Sequence, residues 1–171
     1  EEVLKRNPEI TKKELEKRAK EISLAAIKFY MLKTSPTKDI LFDPAQAVSF
    51  EGDTGPYVQY TYARAKSIER KAKKTKKSKT DSELTAEEKE ILSKISVFEE
   101  KILEAAQNFD PSKIANYLLE LCSAFNTFYH KHKVINEENE FFQTCLEIVK
   151  ATANTIKNGL NTLNINTMEE M

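Results

Sequence analysis

The sequence predicts an all-α protein, an antiparallel helical bundle with short connections and one basic loop. Apolar residues recur at helical intervals along most of the 171 residues. With only 3 Gly and 5 Pro the chain holds few helix breakers, and capping signals open several of the periodic segments. A composition of 40% hydrophobic and 32% charged residues is ordinary for a globular helical protein.

The first predicted helix is the segment TKKELEKRAKEISLAAIKFYMLK. Thr11 and Glu14 at its start have the spacing of a capping box. Pro36 follows the helix, and the short segment KDILFDP, residues 38–44, is predicted to be extended or irregular. A brief helix is predicted over Ala45–Phe50.

The loop EGDTGP precedes the next helix. Gly52 and Gly55 indicate a tight and mobile loop, and Pro56 suits the first helical position because its missing N–H would be unpaired there anyway. This helix runs from about Pro56 into the segment KKTKKSKTDS. That segment is polar and lacks periodicity, so it predicts a basic, flexible loop at about residues 74–84.

Three further helices complete the predicted bundle. Thr85 and Glu88 form a second capping box at the start of a helix that continues through Leu103. Asp110 followed by a proline begins the next helix, which ends near residue 132. The last helix is predicted from about Glu138 to residue 163. Helices joined by connections this short pack as antiparallel neighbours.

The composition and motifs exclude several classes of function. No apolar run is long enough to cross a bilayer, and no signal segment opens the chain. No Gly-rich phosphate loop, activated nucleophile or carboxylate pair in an apolar setting predicts a catalytic centre. Cys122 and Cys145 lie among apolar helical neighbours, which predicts reduced thiols. His130 and His132 point in different directions on a helix, so we predict no metal site.

One helical sector combines aromatic rings with positive charge. At 100° per residue, Tyr57, Tyr60 and Arg64 fall within one narrow sector, and between residues 64 and 79 there are nine Lys or Arg against one acid. Unstacked bases gain about 1–3 kcal/mol each on aromatic faces, and basic side chains release counterions from phosphates. The pattern predicts an RNA-binding surface. A second sector, predicted to face the core, holds Val58, Tyr62 and Ala65.

Two alternatives are compatible with the same pattern. Ile68 extends the aromatic sector, so Tyr57 and Tyr60 could pack against another helix. The lysines of residues 71–79 could form a solvated linker, since the formal net charge of the chain is zero. From the residues alone, the chain is a helical bundle with either an RNA-binding face or a protein-interaction surface beside an incidental basic loop.

Three motifs resemble the arginyl-tRNA synthetases, which are class I enzymes. SFEGDTGPYVQYTYAR is similar to the segment that enters their anticodon-binding, DALR-type domain. PSKIANYLLELCSAFNTFYHKHKVI and ATANTIKNGLNTLNI follow in the family's order, and the chain ends in Met171. Asp53, Asn164 and Thr167 depart from the family's frequent Asn, Gly and Pro, and the letters D-A-L-R do not occur.

The resemblance implies a domain division and a function. Residues 1–48 would be a helical connector from a missing catalytic domain, and residues 49–171 the anticodon-binding bundle. The expected partners are the anticodon stem-loop of arginine tRNA and the enzyme's own catalytic domain, with neither DNA nor a membrane, in the cytoplasm. Because the chain begins at Glu1, upstream of which the nucleotide-binding signatures would lie, we expect an inactive fragment without cofactor or metal. The parent enzyme would attach arginine to tRNA with ATP and Mg²⁺. The anticodon domain of another synthetase stays an alternative, against which the motif at residues 49–64 argues.

The resemblance also implies which residues contact RNA. These are the loop and pocket residues Ser49, Phe50, Glu51, Gly52, Asp53, Thr54, Tyr57, Tyr60, Arg64, Tyr129 and Met171. Weaker phosphate contacts are expected from Lys66, Arg70 and Lys71. Every arginine codon has G in the middle, so every arginine anticodon has C at its centre. We expect backbone groups of the loop or the tail at Met171 to contact that cytosine, and the tyrosines to stack.

Overall fold

A computed structural model describes residues 10–72, 83–132 and 142–171, and these residues contain helices and no strand. The predicted all-α class is therefore confirmed. The helices are α1 (Lys12–Leu32), α2 (Pro44–Ala47), α3 (Gly55–Ala72), α4 (Ala86–Ser96), α5 (Phe98–Asn108), α6 (Ser112–Lys131) and α7 (Phe142–Thr162). None of the described helices is long and apolar enough to span a bilayer.

Helices α3, α6 and α7 form the centre of the bundle. Helix α3 packs against α7, α1 and α6, while α4 lies on α6 and α7, and α5 lies on α6. The predicted helical bundle is confirmed. Its fully buried side chains include Val58, Leu118, Leu121, Phe125, Ile156 and Leu160.

The predicted capping residues begin the helices for the expected physical reason. The hydroxyl of Thr85 accepts from the backbone N–H of Glu88 at 3.3 Å, and the Glu88 carboxylate accepts from the N–H of Thr85 at 2.8 Å. Thr11 caps α1 through its side chain, but Glu14 pairs with Arg18 and does not complete the predicted box. Asp110 accepts from the N–H of Ser112 at 3.0 Å, although α6 begins at Ser112, so that Pro111 is the N-cap where Asp110 was predicted. These bonds pair N–H groups that have no partner within the helix.

The single helix predicted from Thr85 through Leu103 is wrong, because the structure divides it into α4 and α5. Val97 lies between them with φ −93° and ψ 6°, outside helical geometry. The hydroxyl of Ser96 donates to the carbonyl of Ser93 at 2.8 Å and so competes with the backbone ladder at this point. The break lets both short helices pack on α6.

Helix α2 is shorter than predicted and begins one residue earlier. Asp43 accepts from the N–H groups of Ala45 and Gln46 at 2.9 and 3.2 Å, which begins the helix at Pro44. It ends at Ala47, so the residues that follow are free to form the loop that leads into α3.

Helix α1 approaches the first turn of α3 at Gly55. A Cβ atom on Gly55 would lie 2.5 Å from the carbonyl oxygen of Ala25 and 2.9 Å from the Cβ of Phe29, so only glycine fits without a shift of one helix. Ala25 and Phe29 belong to the same buried core as α3. The domain boundary between residues 48 and 49 stays a prediction.

Two predicted features lie outside the described residues. The basic loop at about 74–84 is described only at residues 83 and 84, and the last helix is described from Phe142, whereas its predicted start is Glu138.

Candidate nucleic-acid interface

A cavity of about 410 Å³ opens beside α3, α6 and the end of the chain. We call it the aromatic cavity. Its walls include four residues predicted to contact RNA, which come from three separate parts of the sequence: Tyr60, Arg64, Tyr129 and Met171. The fold therefore brings the separately predicted residues to one place.

The guanidinium group of Arg64 organises this cavity. Its central carbon lies 4.7 Å from the ring centre of Tyr60 and 5.1 Å from that of Tyr129. One terminal nitrogen donates to the Tyr60 hydroxyl at 3.1 Å, and the other donates to the side-chain oxygen of Asn126 at 2.7 Å. Because a cation is attracted to aromatic faces, the Arg64 guanidinium holds both rings close to one fixed positive charge.

Asn126 was not predicted as a site residue, yet it links two residues that were. Arginine can only donate hydrogen bonds, so the Asn126 oxygen faces Arg64 and its amide nitrogen faces the hydroxyl of Tyr57, at 2.8 Å. The available signal was its spacing, since Asn126 lies three residues before Tyr129 and such residues share a helix face.

Tyr57 departs from its predicted position. It is half-buried, packs against the core and does not line the aromatic cavity, whereas Tyr57, Tyr60 and Arg64 were predicted to face outward together. Its hydroxyl accepts from Asn126 of α6 at 2.8 Å, so the position of α6, which helical periodicity does not show, draws the ring inward. Burial raises the pKa of Tyr57 above its ordinary value. The ring of Tyr57 therefore packs on the bundle, as does Ile68, which is buried, and the RNA contact predicted for Tyr57 stays a prediction.

The loop Ser49–Thr54 is closed by its own hydrogen bonds. The Thr54 hydroxyl donates to the carbonyl of Ser49 and accepts from the N–H of Tyr57 at 3.1 Å. Gly52 has φ +77°, a conformation that side chains disfavour. Thr54 is buried, its N–H donates to the carbonyl of Gly52 and its carbonyl accepts from the N–H of Val58, so Thr54 positions the loop and the structure does not expose it for the predicted RNA contact.

The other loop residues present a mixed surface toward solvent. Glu51, Gly52 and Asp53 are exposed, and the ring of Phe50 meets that of Tyr60 edge-on at 6.4 Å. This ring contact joins the loop to the wall of the aromatic cavity. Gly55 lies outside this loop as the first residue of α3 and packs against α1. The mobility expected of the loop Ser49–Thr54 stays a prediction.

The three residues predicted to contact phosphate have different surroundings. Lys66 pairs with Glu69 at 2.6 Å, and this hydrogen bond raises the pKa of Lys66. Arg70 and Lys71 are both exposed, and both line the aromatic cavity. Arg70 and Lys71 are thus the two that a ligand in the cavity can reach.

The histidines and their neighbours form an ordinary surface contact. His130 is exposed, and His132 stacks on the ring of Phe128 with 4.9 Å between ring centres. Glu87 lies 3.6 Å from His132 and accepts from Lys131, which lowers the pKa of Glu87 to about 2. Within residues 10–72, 83–132 and 142–171, no group of three His, Cys, Asp or Glu side chains is placed to hold a metal ion.

The family match and the most similar sequences agree on one kind of protein. Residues 58–171 match the family described as the DALR anticodon binding domain. The chain is 41% identical to the arginine–tRNA ligase of Clostridium perfringens over 175 residues, which cover 100% of this chain and 31% of that protein.

Two solved structures share the fold. The arginyl-tRNA synthetase of Thermus thermophilus superposes with a TM-score of 0.88 at 38% identity, covering 99% of this chain and 29% of the other. The arginyl-tRNA synthetase of Plasmodium falciparum gives a TM-score of 0.76 at 26% identity, covering 91% of this chain and 28% of the other.

The chain spans about 30% of the length of the curated relatives it matches. The relatives confirm the predicted resemblance. The family match runs from Val58, in the first turn of α3, to the end of the chain, and the structural match with the Thermus thermophilus enzyme includes α1 as well. The chain therefore belongs to the DALR anticodon-binding domain family, in the form found in arginyl-tRNA synthetases.

Proposed function

We propose that the chain binds the anticodon stem-loop of arginine tRNA through the aromatic cavity. The observation that carries this proposal is the convergence of Tyr60, Arg64, Tyr129 and Met171 on one opening. Sequence-specific recognition of RNA generally targets unpaired bases, which stack on aromatic rings and guanidinium planes. The cavity offers both kinds of surface, and its volume of about 410 Å³ is within the range of small-ligand sites.

Specificity for arginine tRNA would come from the central anticodon base. Cytosine offers an amino donor and two acceptors on its pairing edge, and backbone groups of the loop Ser49–Thr54 or of the tail at Met171 would contact that edge. The edge-on contact of Phe50 with Tyr60 supports this arrangement, because it places the loop beside the stacking surface. The flanking anticodon bases differ among arginine tRNAs, so they would be read less strictly.

The second proposed partner is the catalytic domain of an arginyl-tRNA synthetase, which would use ATP and Mg²⁺ in the cytoplasm. Leu24, Ile27 and Met31 of α1 are 41%, 49% and 46% exposed. Their spacing places them on one helix face, an apolar stripe that no described residue covers. The Clostridium perfringens relative has more than two thirds of its length outside the matched region, which is ample protein to cover the stripe. The chain alone would not aminoacylate tRNA.

A titration with RNA hairpins tests the proposed function. One hairpin carries an arginine anticodon and a second differs only by U in place of its central C, and binding of both is measured at about 50 and 200 mM salt. The change from C to U should cost about 1–3 kcal/mol, and affinity should fall steeply with salt. Equal affinity for both hairpins would remove the specificity claim. A hairpin affinity that does not change with salt would argue against phosphate contacts and would favour the alternative of a protein-interaction surface.

A further inference from the structure

Residues 163–171, which we call the tail, fold back along α1 and α3. Ile165 is buried and anchors the tail in the core. The side chain of Gln59 donates to the carbonyl of Asn166 at 2.7 Å, and the Asn166 amide donates to Glu21 of α1 at 2.8 Å. These contacts lead the last residues of the tail to the rim of the aromatic cavity.

Two acidic side chains of the tail meet two arginines at that rim. The carboxylate of Glu170 lies 3.3 Å from the guanidinium of Arg18 and 3.6 Å from that of Arg70. Arg70 also donates to the carbonyl of Glu169 at 3.2 Å and lies 3.8 Å from its carboxylate. The Glu170 carboxylate therefore bridges guanidinium groups that belong to α1 and α3.

The two sides of this contact differ in how firmly they are held. The side chain of Arg18 is 13% exposed, and its Nε pairs with Glu14 at 3.0 Å, so the guanidinium has a fixed position. The side chains of Glu169 and Glu170 are 61% and 59% exposed. Exposed ion pairs contribute only about 0–1 kcal/mol, so the acids can be displaced at low cost while Arg18 stays in place.

We propose that Arg18 and Arg70 form a phosphate-binding site for the RNA backbone, which the carboxylates of Glu169 and Glu170 occupy until RNA binds. Guanidinium groups bind carboxylate and phosphate with the same geometry, so the Glu170 carboxylate stands where a phosphate would lie. This inference rests on the proposed function. It adds Arg18, a residue that the sequence did not indicate, and assigns the tail a role in RNA binding.

The position of the site fits one continuous RNA strand. Arg18 and Arg70 line the same cavity as Tyr60, so a base stacked on Tyr60 has its backbone within reach of both arginines. Four cationic side chains line the cavity, and the only acids among its lining residues are the two of the tail. Met171 follows these acids directly and lines the same cavity, so the site and the predicted base contact of Met171 lie side by side.

The experiment compares two glutamate pairs in the 171-residue chain. The variant E169Q/E170Q removes the competing carboxylates, and E99Q/E100Q is the matched control because it makes the same change in net charge at exposed positions of α5. Affinity for the arginine anticodon hairpin should rise about 10-fold in E169Q/E170Q at low salt, through gained phosphate contact, and clearly less in the control. Equal gains in the two variants would overturn the proposal.

The arginines are tested by the salt dependence of binding. In R18Q/R70Q the slope of log affinity against log salt should fall by about 1–2, while the discrimination between C and U hairpins stays the same. An unchanged slope would contradict the phosphate site. Failure of the wild-type chain to bind the hairpin would instead contradict the proposed function. If R18Q/R70Q does not fold, E169Q/E170Q still tests the proposed phosphate-binding site, because this variant changes only exposed side chains.

Discussion

The side-chain amide of Asn126 donates to the hydroxyl of Tyr57 at 2.8 Å and so ties the first turn of α3 to α6. Its oxygen accepts from Arg64 at 2.7 Å, so one amide positions both the half-buried tyrosine and the guanidinium of the aromatic cavity. Asn126 does not line that cavity. It is a positioning residue whose effect on RNA binding would pass through Arg64.

We expect Asn126→Ala to lower both stability and RNA affinity. The substitution leaves the Arg64 nitrogen without its partner, and loss of a hydrogen bond to a charged group costs about 1.5–3 kcal/mol. Tyr57→Phe is the matched control, because it removes only the bond to Tyr57 and leaves Arg64 paired. Urea unfolding and hairpin titration measure the two effects. An N126A variant that binds RNA no worse than Y57F would refute the positioning role.

Tyr57 and Tyr60 should respond differently to replacement by alanine. Tyr60→Ala should weaken hairpin binding by about 1–3 kcal/mol with little change in melting temperature, because this ring borders an open cavity. Tyr57→Ala should lower the melting temperature, since its ring packs on the core. Thermal unfolding and titration of both variants separate the roles. Normal RNA binding by Y60A would exclude stacking on this ring.

Interactions between residues close in the sequence made much of the fold predictable. The capping box of Thr85 and Glu88 involves residues three apart, and its two bonds form as expected. The predicted core face of α3 is also correct, since Val58, Tyr62 and Ala65 are all buried. Both features depend on neighbours within one or two helical turns, which a single sequence displays directly.

The features that sequence could not supply depend on contacts between distant segments. The Tyr57 side chain turns toward Asn126 of α6, 69 residues away, and Glu170 reaches Arg18 across 152 residues. Helical periodicity places Tyr57 within an apparently continuous sector, but only the position of α6 decides that its ring packs inward. The resemblance to arginyl-tRNA synthetases indicated the site residues without indicating how they are held.

Gly55→Ala should destabilise the chain more than Gly159→Ala. A Cβ at Gly55 would meet the backbone carbonyl of Ala25 at 2.5 Å, whereas a Cβ at Gly159 would meet the side chain of Leu118 at 2.7 Å. A side chain can rotate away and a helix backbone cannot, so we expect a loss of about 1–3 kcal/mol for G55A. In G159A the gain in helix propensity of up to about 1 kcal/mol offsets part of the strain. Equal losses in urea unfolding would contradict this difference.

Alkaline pH should reduce the contribution of the buried Cys122 thiol to the free energy of unfolding. Burial raises the pKa of the Cys122 thiol from 9.0 to about 12. The folded state holds this proton more tightly than the unfolded state does. The thiol therefore makes its full contribution to the free energy of unfolding below pH 9, and this contribution is lost as the pH rises toward 12. Each pKa unit corresponds to 1.36 kcal/mol, so roughly 2 kcal/mol is lost by about pH 10.5.

The comparison of wild type with Cys122→Ala isolates this effect. At pH 7.5 the variant should be less stable than wild type, and the gap between their free energies of unfolding should narrow by roughly 2 kcal/mol at about pH 10.5. Other groups that titrate in this range act on both proteins and cancel in the difference. A gap that is independent of pH would show that the thiol ionises as readily in the folded chain as in the unfolded one.

The apolar stripe of α1 should matter only when a catalytic domain is present. Replacement of Leu24, Ile27 and Met31 by Gln should change the stability of the chain alone by less than about 0.5 kcal/mol per site, since each side chain is more than two fifths exposed. In an enzyme that carries both domains, the triple variant should lower kcat/KM for aminoacylation and leave the affinity for the anticodon hairpin unchanged.

The matched control replaces Lys13 and Lys20, two exposed polar residues of the same helix, by Gln. A triple variant that unfolds the isolated chain as a core substitution does would show that the stripe serves this bundle itself. Full aminoacylation by the triple variant would show that the catalytic domain docks elsewhere.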